Sequence, residues 1–143
     1  MNDIFIRVCK NGHQIPEYNN FCQKCGSPVL NRCNNCGTRI KPIRSDLFLA
    51  PDYCDYCGQP FPWVEAALQA AAELLAEDEN ITAEECNRLI AVLPDAMCET
   101  PKSKLAAARI RKALSVLGSF TADALRQILL DHACDLVKQQ LGL

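Results

Sequence analysis

The sequence predicts a small metal-stabilised head of knuckles and short β-hairpins, followed by an all-α tail of about four helices. Two observations carry this. Seven of the ten cysteines (Cys9, Cys22, Cys25, Cys33, Cys36, Cys54 and Cys57) precede residue 60, in a stretch dense in proline and glycine. From Pro62 onward the chain is rich in alanine and leucine and reads as helix punctuated by capping residues. The boundary is therefore expected at about residue 62, with a head of residues 1–61 and a helical bundle or interaction domain over 62–143.

A length of 143 residues suits one ordinary domain or two small ones. The formal charge of −2 advertises no general affinity for nucleic acid or an anionic membrane. The opening MNDIFIRVCK has no basic stretch leading into a long apolar core, so no secretory signal is expected. No apolar run approaches the roughly 18 residues needed to span a bilayer. Paired cysteines in such a chain favour metal over disulfides, and a cytoplasmic setting.

The head contains an internal repeat. FCQKCGSPV (Phe21 to Val29) and YCDYCGQPF (Tyr53 to Phe61) share aromatic-Cys-x-x-Cys-Gly-x-Pro-apolar. Each follows another knuckle: CKNGHQI from Cys9, and CNNCGTRI from Cys33. In the first copy His13 takes the place of the second cysteine, displaced by one residue, with Gly12 just before it. A Cys-x-x-Cys turn brings two thiolates to one tetrahedral Zn²⁺, and the following glycine lets backbone amides point at the sulfurs. The repeat therefore assigns one zinc to Cys9, His13, Cys22 and Cys25, and a second to Cys33, Cys36, Cys54 and Cys57. The second pattern, CxxC-x17-CxxC, is specific; the first, C-x3-H-x8-CxxC, draws support from the repeat. An interleaved pairing of Cys22/Cys25 with Cys33/Cys36 would use the same ligands, and four thiolates also suit iron. Four protein ligands at each site leave no open position, so both metals are expected to be structural. A head of this size, with few large apolar side chains, needs metal to fold. Short ribbon strands are expected in DIFIRV, RIKPIR and LFLA.

CKNGH, FCQKCG and YCDYCGQPFPW, with Phe21, Pro28, Tyr53 and Pro60, resemble bacterial double zinc-ribbon proteins. They resemble more closely a bacterial family of unknown function that combines this head with a helical tail. The resemblance covers residues 9–63 and implies both zinc sites and a bacterial cytoplasmic setting. It implies no activity.

In the tail, Pro62 opens a first helix, about Trp63 to Asp78, with Val64, Leu68, Ala71 and Leu75 on one face. Thr82 and Glu85 make a capping box for a second helix bearing Cys86, Leu89, Ile90 and Leu93, which Pro94 is expected to end. Thr100-Pro101 opens a third, with Ile110 and Leu114 inward and Gly118 as its C′ residue. Thr121 is expected to cap a last helix, about Ala122 to Gln140. That helix has two apolar sides, Leu125/Ile128/Leu129/His132/Leu136 and Leu130/Ala133/Val137/Leu141, as a central or self-associating helix would. Cys86 and Cys98 read as small core residues, and His132 as a bundle residue rather than a ligand.

Charge is segregated. Residues 63–87 hold seven acids and no base; residues 100–122 hold five bases (Lys102, Lys104, Arg109, Arg111 and Lys112) and no acid. Acidic and basic helices packed side by side, or simply solvated, explain this without a special role. A basic face for phosphate or anionic lipid is the sharper alternative. No catalytic constellation appears. The function expected is a non-enzymatic zinc-binding adaptor or regulator, whose head docks a protein partner and whose tail binds a partner or itself, with the DLFLAPDY loop as part of the docking surface. Alternatives are a nucleic-acid-binding regulator using Arg39, Lys41, Arg44 and the third helix, and a redox or zinc-responsive switch. The first alternative is disfavoured, because seven Lys/Arg against five Asp/Glu leave the zinc-loaded head near neutral or slightly negative.

Overall fold

The computed structural model describes residues 5–16, 18–43 and 50–143. It divides into two compact units, Met1–Ala66 and Ala67–Leu143. The division falls inside the first helix, because Trp63 belongs with the head. Its ring stacks on Phe61 with centroids 4.8 Å apart, and its indole N–H donates to the Pro51 carbonyl at 3.0 Å.

The first unit is built from turns. Among the described residues it has no β-strand, only isolated antiparallel bridges: Val8 with Gln14 and Leu30, Phe21 with Pro28, Arg32 with Arg39, and Tyr53 with Pro60. The expected ribbon hairpins are thus reduced to single bridges around each knuckle. Such short pairings give little ladder energy, so whatever holds the unit must act at the turns. The repeated aromatic and proline positions are the bridge partners themselves, which explains their spacing. Of the expected ribbon strands, Phe5–Val8 and Arg39–Ile43 are described and are not strands. Asp3, Ile4, Arg44 and Leu47–Leu49 lie outside the described residues. So does the first half of the DLFLAPDY loop, residues 46–49.

The tail holds five helices rather than four: α1 (Pro62–Glu77), α2 (Ala83–Met97), α3 (Ser103–Leu114), α4 (Ser119–His132) and α5 (Asp135–Leu141). In the second unit, Ala71 and Leu75 of α1, Leu89, Val92 and Leu93 of α2, Ile110 of α3, Leu125 and Leu129 of α4, and Val137 of α5 share one core. Thr82 caps α2 as expected, accepting the Glu85 amide N–H at 3.1 Å.

Three local expectations are overturned. Pro94 does not end α2: the helix runs on to Met97, because Ala96 and Met97 are both buried in the core. Gly118 is not a C′ residue for α3, whose C-cap is Ser115; it is the N-cap of α4, in an ordinary negative-φ conformation. Thr121 accordingly lies within the first turn of α4, buried. The cap of α4 comes from far away in sequence: Asp78 accepts the Gly118 amide N–H at 3.0 Å. A carboxylate there also meets the positive end of the helix dipole.

The two-sided last helix is two helices. Ala133 and Cys134 are extended, and the Cys134 amide donates to the Ala96 carbonyl at 2.9 Å instead of continuing the helix. The break turns Val137 into the same core as Leu125 and Leu129, so each helix needs one apolar side only. Leu130, expected on a second apolar face, is exposed. Cys86 is a core residue as expected; Cys98 is half-buried at the α2 C-cap, its thiol on the Pro94 carbonyl. Among the described residues, no helix is long and apolar enough to cross a membrane.

Candidate metal centres

Each knuckle is a hydrogen-bonded turn. At Cys22, Cys33 and Cys54 the cysteine N–H donates to the carbonyl five residues on, and the glycine four residues on donates back to the cysteine carbonyl. This closes the loop with both sulfurs on one side. The first knuckle is one residue tighter: Cys9 N–H donates to the His13 carbonyl and Gly12 N–H to the Cys9 carbonyl, both at 3.0 Å. Gly12 takes φ +88°, and a Cβ there would come within 3.3 Å of Trp63. Glycine is therefore required twice over, and it stands where the other knuckles place their second cysteine. The donor moves to the next residue, and the longer imidazole reaches back.

The turns gather the eight predicted residues into two clusters. Cys9, His13, Cys22 and Cys25 form one; Cys33, Cys36, Cys54 and Cys57 form the other; within each, all donor atoms lie within 4.8 Å of one another. The interleaved pairing is not the arrangement adopted. A tetrahedral zinc with Zn–S of about 2.3 Å and Zn–N of about 2.0 Å demands S···S edges of about 3.8 Å and S···N edges of about 3.5 Å. The Cys9–Cys25, Cys36–Cys54 and Cys33–Cys57 sulfur pairs are 3.6, 3.6 and 3.7 Å apart. His13 Nδ1 is 3.3 Å from the Cys9 sulfur and 3.4 Å from that of Cys22. The donor sets fit a tetrahedral ion of this size.

The surrounding polar groups stabilise thiolate. Amides of Asn11 and His13 donate to the Cys9 sulfur at 3.3 and 3.4 Å, and that of Lys24 to Cys22 at 3.4 Å. The Ser27 hydroxyl lies 3.4 Å from the Cys25 sulfur, and with the Ser27 amide it holds that thiol down at about 5. The Thr38 hydroxyl, 3.2 Å from Cys36, lowers its partner in the same way. Cys57 is held at about 6, first by the Asn35 side chain. Burial acts oppositely on Cys54, pushed up to about 11, and raises Cys9. A divalent cation is what would ionise all the sulfurs together. Ser27 and Thr38 escaped the sequence reading, although both follow a Cys-Gly pair.

A family model described as an uncharacterized protein conserved in bacteria (DUF2321) matches residues 4–141. The chain belongs to that family. The match takes in both donor clusters and all five helices. No curated protein matches the chain, and no solved structure does.

Proposed function

We propose that this protein is a non-enzymatic adaptor or regulator whose head is a structural double zinc ribbon, docking a protein partner in the bacterial cytoplasm. The observation that supports it most is the donor complement: four protein donors per centre, spaced for a tetrahedral ion. That is the set of a structural zinc, whereas hydrolytic zinc keeps one position for water. Zinc fits better than iron on the same ground, since one centre includes an imidazole and zinc is indifferent to mixed nitrogen and sulfur donors.

Docking is supported by what the first unit leaves uncovered. Tyr18, Phe21, Ile43 and Tyr56 are large apolar side chains in solvent, and aromatic residues are enriched where protein partners dock. Three basic side chains of this unit are occupied within the protein. Arg7 donates to the Pro16 carbonyl and Arg32 to that of Gly37, both at 3.0 Å, and Arg39 lies 3.8 Å over the Phe5 ring. Nucleic acid is accordingly disfavoured. In the tail, the exposed Phe120 and Leu130 are the side chains that a second partner, or another copy, would cover.

Affinity capture from the source bacterium tests the reading, comparing wild type with a Tyr18→Ala/Tyr56→Ala variant. A protein recovered stoichiometrically with wild type, and lost with the variant, is the expected result. Recovery of nothing, with a monomer in analytical ultracentrifugation, contradicts it. A redox-responsive release of zinc is the second reading, favoured by the exposure of Cys25; zinc retained under mild peroxide removes it.

A further inference from the structure

Helices α2 and α3 pack against each other with a cavity of about 600 Å³ open along their seam, a size typical of small-molecule sites, which run from roughly 300 to 1,000 Å³. Its floor is Leu89 and Ala113, both buried, and Ile81 and Val116 make apolar walls. Arg88 from α2, and Arg109 and Lys112 from α3, stand around it against a single carboxylate, Glu85.

Two of these cations, Arg109 and Lys112, are not neutralised by the rest of the unit, whereas Arg88 pairs with Glu84. α3 carries Lys104, Arg109, Arg111 and Lys112 and no acid. The acid-bearing α2 does pack beside it, as the charge segregation anticipated. Yet the ion pairs among the described residues run within single helices: Arg88 to Glu84 at 3.8 Å, and Arg126 to Asp123 at 3.3 Å. Arg111 is taken by the Gln140 carbonyl, whereas Arg109 and Lys112 have no side-chain partner among the described residues. Nor do the carbonyls ending α3 compete for them. Lys112 O accepts the Ser115 hydroxyl at 2.6 Å, and Ala113 O accepts the Val116 and Leu117 amides at 3.0 and 2.9 Å.

We propose that this seam is a binding site for an organic phosphate, its dianion held by Arg88, Arg109 and Lys112 and its apolar body on Leu89, Ala113 and Val116. Counting Glu85 and the Glu84 that pairs with Arg88, the site keeps a net positive charge, and Arg109 and Lys112 are the two cations left for the two charges of a phosphomonoester. Two guanidinium forks match phosphate oxygens in pairs. The apolar floor requires more than inorganic phosphate. A soluble phosphomonoester and a lipid phosphate share this chemistry.

The test is an amide-resolved NMR titration of the full zinc-loaded chain with phenyl phosphate. Saturable shifts at Leu89, Arg109 and Ala113 are expected, with at least about tenfold weaker binding both for inorganic phosphate and for an Arg109→Glu/Lys112→Glu variant of unchanged helical circular dichroism. Should that variant not fold, Arg109→Gln/Lys112→Gln serves the same comparison. Co-sedimentation with phosphatidic acid vesicles, lost in the variant, assigns the lipid source; phenyl phosphate binding without it assigns a soluble one. The absence of a saturable shift, equal affinity for inorganic phosphate, or undiminished binding by the folded variant would overturn the assignment.

Discussion

His13 places its Nδ1 atom 3.3 Å from the Cys9 sulfur, although Gly12 occupies the position that holds the second cysteine in every other knuckle. The tighter turn and the longer side chain compensate each other. His13→Ala should therefore strip metal from the first centre alone. Competition with a chromophoric chelator should show one strongly held zinc where wild type shows two. Helical circular dichroism should be retained, since the core of Ala67–Leu143 holds no ligand.

The hydroxyls beside the sulfurs favour the thiolates of Cys25 and Cys36 and should help the centres hold metal in acid. Ser27 keeps the Cys25 thiol at about 5. Because that value is depressed, the Cys25 thiolate persists well below the usual thiol range and protons compete less with the metal at this ligand than at Cys9, which burial raises. Ser27→Ala and Thr38→Ala should each raise the pH of half-release and weaken zinc by roughly tenfold. A pH titration followed by a zinc-sensitive dye reads both effects.

Ser103 joins two helices through one hydroxyl. It is fully buried, lies 2.8 and 3.1 Å from the Asp95 and Cys98 carbonyls, and accepts the Thr100 amide at 2.8 Å. Ser103→Ala leaves these partly buried groups without their partner. Urea unfolding should show a loss of about 2 kcal/mol.

Asp78 links the end of α1 to the start of α4. The Asn80 amide, first, and the Thr121 side chain and Gly118 amide hold its carboxyl below the usual range. A depressed folded value means stability that is present above the unfolded carboxyl pKa and lost as pH falls through the folded one. Asp78→Asn should lower the thermal midpoint at neutral pH and flatten its decline in acid. An unchanged profile would show that the contact contributes nothing.

How legible was this molecule? The members of both clusters could be read from the sequence because the knuckles repeat: Cys-x-x-Cys-Gly is a local turn whose hydrogen bonds close within six residues, so no distant contact is needed to form it. The α2 cap at Thr82 is local in the same sense. The failures are tertiary. Pro94 continues a helix because Ala96 and Met97 are drawn into a core. Gly118 starts α4 because Asp78, 40 residues away, takes its amide. The break at Ala133–Cys134 is held by a carbonyl of α2, and periodicity alone reads the resulting turn of the apolar side as one helix with two faces.

The central claim is that two fully ligated zinc ions organise the first unit and perform no chemistry. Native mass spectrometry of the intact chain, before and after complete chelation, tests it most directly. The account predicts the mass of two zinc ions, and, after their removal, proteolysis that digests residues before Ala66 while sparing the helices beyond Ala67. A mass increment of one zinc or of iron, or a first unit still protease-resistant without metal, would contradict it.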